Sequence, residues 1–135
     1  MNAGRSVVAM LAVWIVRVAL NWAFYGLYMS PRMSAATEQW SGAFREVVPA
    51  YIVADLLFAV VFVWLWTKAG ACFGAGAGAG ATYGLVIGLL ASVIPGIYHV
   101  YSVTFVSNSL WFTEIVYSIV AHVAIGVVAA MVYRS

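Results

Sequence analysis

Between Gly74 and His99 the chain reads GAGAGAGATYGLVIGLLASVIPGIYH, and every fourth residue from Gly76 onward is small: Gly76, Gly80, Gly84, Gly88, Ser92 and Gly96. An unbroken ladder of this kind inside an apolar segment suits a membrane helix. There a neighbouring backbone closes onto the bare face, and van der Waals contact replaces the hydrophobic effect between helices. On a straight helix an i to i+4 row drifts about 40° per step, so the ladder is expected to wind roughly halfway round. It should then meet one neighbour at its lower end and another higher up. Two other readings of the glycine run fail. A dinucleotide loop built on Gly74, Gly76 and Ala79 should follow a strand and have an acid about 20 residues on. Neither is present, no Lys-Ser/Thr pair completes a phosphate loop, and a silk-like strand does not fit transmembrane surroundings.

Composition extends the conclusion to the whole chain. Only 7% of the 135 residues are charged and 66% are hydrophobic, whereas soluble domains carry about 25% charged residues. A spanning helix needs ~20 apolar residues, and the apolar runs leave room for four, over about residues 6–29, 47–67, 76–103 and 110–133. The expected fold is a single all-α domain, an integral membrane bundle of four transmembrane helices whose first partner is the lipid bilayer. The formal net charge of +2 is small and scattered, which excludes nucleic acid as a partner. Cys72 is the one cysteine, so no intramolecular disulfide forms. The first apolar run is too long for a signal peptide, is interrupted by Arg17 and lacks a small-x-small cleavage site, so it is expected to stay as a span.

In the first helix Arg17 sits near the middle and is followed at helical spacing by Asn21, Tyr25 and Tyr28. Ser30-Pro31-Arg32 is predicted to end that helix, because a proline ring cannot continue the hydrogen-bond ladder. The polar stretch from Met33 to Glu46 holds Trp40 and Phe44 four apart, which suits either a short interfacial helix or a plain loop. Pro49 falls in the first turn of the second helix, where its missing N–H is harmless. Asp55 is that helix's candidate buried charge, and Trp64, Trp66 and Lys68 read as interface anchors. Pro95-Gly96 predicts a kink in the third helix that frees the Ala91 carbonyl. The fourth carries Glu114, Ser118 and His122 at a spacing of four on one face. Four crossings place both termini on one side with Arg5, Lys68 and Arg134, opposite Arg32 and Arg45. The excess of positive charge predicts cytoplasmic termini.

Ionisable side chains inside a bilayer are costly, face the bundle interior and find partners. At ~1.5 Å of rise per residue, Glu114 and His99 lie shallow from the non-cytoplasmic face, Asp55 deeper, and Arg17 and His122 near the midplane. Arg17 and Asp55 differ in depth by about one helical turn, which predicts an ion pair between adjacent helices. Asn21, His99, Ser118, His122 and Glu114 would join them in one polar seam. Two readings of that seam stay open: structural glue that fixes helix order, or a path for protons or ions or a site for a small polar group. A haem between the two histidines is not expected. Antiparallel pairing sets His99 opposite about Val116, which leaves His122 about 9 Å away in depth, whereas axial ligands should lie level. No cofactor, metal site or catalytic residue is expected. Ser92, Ser102 and Ser118 have no identifiable oxyanion-binding turn beside them, and membrane-helix serines commonly bond their own backbone carbonyls.

The Asn21…Gly26-Leu27…Ser30-Pro31 end of the first helix and the Trp-containing outer loop carry a resemblance. So do Gly84-Leu85…Gly88-Leu89 and the Glu114…Ala130…Tyr133-Arg134 helix. On these features the chain resembles the small four-helix membrane proteins of bacteria that have no assigned activity. The resemblance implies the fold and no catalytic residues. It is also similar in size and helix number to the small multidrug transporters. Those carry an essential glutamate in the first helix, where this chain has Arg17.

The functional expectation is a non-enzymatic accessory or assembly subunit that docks on a larger membrane complex or on its own copies, in a bacterial cytoplasmic (inner) membrane. Little mass lies outside the membrane to build a soluble active site, and the glycine-rich surfaces exceed what four helices need. The alternative is a small proton-coupled or ion transporter or channel acting as a homo-oligomer through Arg17, Asp55, Glu114 and the histidines. An enzyme acting on a lipid or quinone comes third.

Overall fold

The computed structural model describes residues 3–38, 47–104 and 106–133, and among them the chain is helix and short turns with no strand. Four helices are long and apolar enough to cross a membrane: α1 (Ala3–Thr37), α2 (Val48–Phe73), α3 (Gly76–Ser102) and α4 (Asn108–Val132). The all-α bundle of four spans expected from the sequence is the one found. Trp40 and Phe44, and with them the choice between interfacial helix and loop, lie outside the described residues, as do Arg45 and Arg134. The end of the bundle that holds Ala3 is called the lower end below.

At the foot of α2 the helix tightens into a 3₁₀ turn over Gly70–Phe73. Gly74 and Gly76 then take φ of 96° and 79°. A residue with a Cβ reaches such values only with strain, and glycine reaches them freely, so the chain reverses here within a few residues. Gly76 therefore belongs to the turn and not to the packing ladder, and a Cβ on it would meet nothing within 4 Å.

The prediction that Pro31 ends the first helix is corrected. α1 runs on to Thr37, because the turns before the proline are wider than an α-helix. Over Trp22–Met29 the bonding is π-type, and the Ser30 N–H donates to the carbonyl of Tyr25, five residues back. A proline ring in a regular α-helix collides with the carbonyl four residues before it. The wider turn relaxes that contact, and Pro31 falls in the first turn of the α segment that resumes at Ser30. α3 solves the same problem in the same way. A π segment over Leu89–Val93, with the Ile94 N–H donating to Leu89, comes just before Pro95. The helix then continues to Ser102.

α1 lies between α2 and α4, and the tightest helix pair is α3 on α4. The glycine ladder makes that second contact. A Cβ on Gly80 would fall against the Gly126 carbonyl and 2.6 Å from the Ala130 Cβ. One on Gly84 would strike the His122 carbonyl, one on Gly88 would lie 2.9 Å from the His122 Cβ, and one on Gly96 would lie 2.8 Å from Ile115. The expected division of the ladder between two neighbours is thus replaced by one partner along its length. Gly126 returns the contact, since its own Cβ would meet the Gly80 carbonyl. Each helix offers an i±4 row, and two such rows stay in register when the helices cross at the matching inclination. The π segment, with its extra residue per turn, then resets the upper half of α3. Ser92 sits in that segment and is half-buried.

The apolar core fills the lower half. It gathers Ala9 and Val13 of α1, Ala59, Phe62, Val63 and Trp66 of α2, Ala79 and Tyr83 of α3, and Ile125, Ala129 and Ala130 of α4. Tyr83 ties α3 to α2: its ring is 2% exposed, and its hydroxyl donates to the Phe62 carbonyl at 2.6 Å. Above this core the interior changes from apolar to polar.

Candidate functional site: a polar cluster shared by three helices

Arg17, Asn21 and Tyr25 are spaced by four, so they rise along one stripe of α1. Asp55 faces them from α2, and Glu114, Tyr117, Ser118 and His122 from α4. The Arg17 Nε donates to the Asp55 Oδ1 at 2.7 Å, and the two side chains are 20% and 13% exposed. The Asn21 amide donates to both carboxylate oxygens, at 3.0 Å and 2.9 Å. Its own carbonyl accepts from the Tyr117 hydroxyl at 2.7 Å. One connected set of hydrogen bonds therefore runs from α2 through α1 to α4. Asp55 accepts three of them, which is what keeps a carboxylate tolerable at this depth.

Aromatic rings wall the cluster. The Arg17 guanidinium carbon lies 3.8 Å above the centre of the Phe58 ring, a cation–π contact that gains strength where water is excluded. Phe24 stacks on Tyr117 with centroids 3.8 Å apart, which holds the tyrosine toward Asn21. Lower on α1, the Trp14 indole donates to the Ile52 carbonyl at 3.2 Å. Nearer the upper end, the Tyr25 hydroxyl donates to the Glu114 Oε1 at 2.9 Å.

His122 lies one turn below Ser118 on α4. Its ring is 3% exposed, its Nδ1 is 2.7 Å from the Ser118 carbonyl, and its edge meets Phe58 at 5.4 Å. The structure thus brings together Arg17, Asn21, Asp55, Ser118 and His122, with Glu114 above them. It does not bring in His99. That residue is exposed on the upper part of α3, where its ring stacks on Trp111 at 4.9 Å. Residue spacing places His99 at a depth but not on a face, and the π segment below it turns it outward from the seam.

Three participants escaped the sequence reading: Tyr117, Phe58 and Gly126. The signal for Gly126 was present, because Glu114, Ser118, His122, Gly126 and Ala130 continue one row at a spacing of four. Tyr117 and Phe58 carried no such mark, since an aromatic residue in an apolar helix is ordinary. Among the described residues no group of three or more His, Cys, Asp or Glu is arranged to hold a metal ion.

Fold and cluster together define a class: an all-α integral membrane protein of four spans built round an internal ion pair. No protein-family model, curated protein or solved structure matches the chain.

Proposed function

We propose that the chain is a non-enzymatic membrane protein that works by docking, as an accessory or assembly subunit of a larger membrane complex. One observation carries this reading: the polar groups of the spans are turned onto one another, while the outward faces are bare and apolar. Arg17, Asn21, Asp55 and Tyr117 bond among themselves, which is how a scaffold uses buried polar groups. By contrast, only 11% of the most apolar window of α1 is buried inside the bundle. Its outer side forms an open groove lined by Trp14, Ile15, Val18, Ala19 and Trp22. Two tryptophans flanking a small residue present a shape that another membrane helix can fill by close packing. Arg5 and Lys68 at the lower end favour cytoplasmic termini, and the resemblance to small bacterial proteins favours the bacterial cytoplasmic membrane.

The second reading, a small proton-coupled transporter acting as a homo-oligomer, has one observation in its favour. The His122 Nε2 is buried without a hydrogen-bond partner among the described residues, on the same row of α4 as Glu114. Native mass measurement after isolation in lipid nanodiscs separates the two. The docking reading predicts unrelated membrane subunits at a constant ratio to this chain through every purification step. Isolation only as a dimer of itself contradicts docking and supports transport, and a co-purifying chromophore contradicts both.

A further inference from the structure

The unpartnered nitrogen of His122 identifies its own ligand. A carbonyl oxygen only accepts, so the Nδ1 facing Ser118 at 2.7 Å carries the ring proton. In the neutral imidazole Nε2 is then an acceptor and needs a donor. Nε2 is fully buried and no described residue supplies one. On the far side of Phe58 the reverse shortage holds. Arg17 uses its Nε on Asp55, which leaves the N–H groups of its two Nη atoms as donors. Both groups lean on the same ring, the guanidinium carbon 3.8 Å from its centre and the imidazole 5.4 Å from it.

Charge and space decide what fits between them. Arg17 and Asp55 neutralise each other, so an anion gains no net attraction, and a cation would meet the guanidinium. The group required is neutral, accepts from nitrogen and donates to nitrogen. It must also be small, because His122 is 3% exposed and Ser118 8%, and the imidazole has room only because position 88 is glycine. We propose that a single water molecule is held between an Arg17 Nη and the His122 Nε2, as buried waters are held by otherwise unsatisfied polar groups. It extends the ion pair into α4 and makes Asp55, Arg17, the water, His122 and the Ser118 carbonyl one line across three helices. This holds whether the chain docks or transports.

The test is nuclear magnetic resonance of the full chain in lipid with ¹⁵N-labelled histidine. The chain has two histidines, so His99→Asn leaves a single imidazole spectrum. The expected result is a protonated Nδ1, an unprotonated and hydrogen-bonded Nε2, and polarisation transfer from water protons to Nε2. A protonated Nε2, or transfer to it from Arg17 protons with none from water, overturns the proposal, and the parent protein alone suffices to show either. In the folded Arg17→Met/Asp55→Leu variant the water signal should vanish. Its persistence would show that Arg17 does not hold the water.

Discussion

Gly84 and His122 meet backbone against backbone: a methyl group added to Gly84 would fall on the His122 carbonyl oxygen. The same residue that closes the α3–α4 contact thereby presents its imidazole to the polar cluster. Packing and polarity in this bundle are consequently coupled at one turn of α4. Whatever separates α3 from α4 there also disturbs the ring beside Phe58.

Glycines of the same run should differ sharply. Gly84→Leu and Gly126→Leu should each lower stability by about 1–3 kcal/mol or more, the usual range for overpacking a closed contact. Gly78 has open space around its Cβ position, and Gly78→Ala should be neutral or stabilise by up to about 1 kcal/mol through helix propensity. Leu90→Ala, at a residue 62% exposed, should change little. Thermal unfolding in a single detergent ranks the four, and a Gly84→Leu protein that melts with the parent contradicts the contact.

Asn21 should matter more than Tyr117, although they share a bond. Asn21→Leu strips two hydrogen bonds from the Asp55 carboxylate and leaves the Tyr117 hydroxyl unpaired, an effect of about 1–3 kcal/mol. Tyr117→Phe removes one neutral hydrogen bond and keeps the ring against Phe24, for about 0.5–1.5 kcal/mol. Unfolding free energies in mixed micelles give the order, and a larger effect for Tyr117→Phe would show that the bonding is misassigned.

Topology can be read from the native cysteine. Cys72 is exposed in the turn between α2 and α3, at the end of the bundle that holds Ala3. With that end cytoplasmic, an impermeant thiol reagent added outside intact cells should leave Cys72 unlabelled. It should label Ala36→Cys and Ser107→Cys in a Cys72→Ser background. The opposite pattern reverses the orientation.

The four spans and the Arg17–Asp55 pair are legible in the sequence because both follow from one-dimensional quantities. Hydropathy sets the spans, and counting residues sets the depth at which two opposite charges meet. Pro31 misleads because a π segment absorbs the ring, and no local residue pattern marks Trp22–Met29 as π rather than α. The ladder's single partner and the outward turn of His99 depend on helix azimuth, which spacing alone does not determine once a π segment intervenes. Gly126 was legible and overlooked: its row on α4 is polar above and small below, mirroring the glycine ladder it meets.

The central claim is that Arg17 and Asp55 form one internal unit that holds α1 to α2, and a double-mutant cycle tests it most directly. Removing one partner of a buried pair costs about 3–5 kcal/mol, whereas replacing both with apolar residues can be nearly neutral. An arginine left alone near mid-membrane also carries an insertion cost of ~2.5–3.5 kcal/mol. Arg17→Met and Asp55→Leu should therefore each reduce unfolding free energy strongly. The double variant should recover most of the loss, a coupling of at least ~2 kcal/mol. Additive damage in the double variant, with no recovery, would contradict the account.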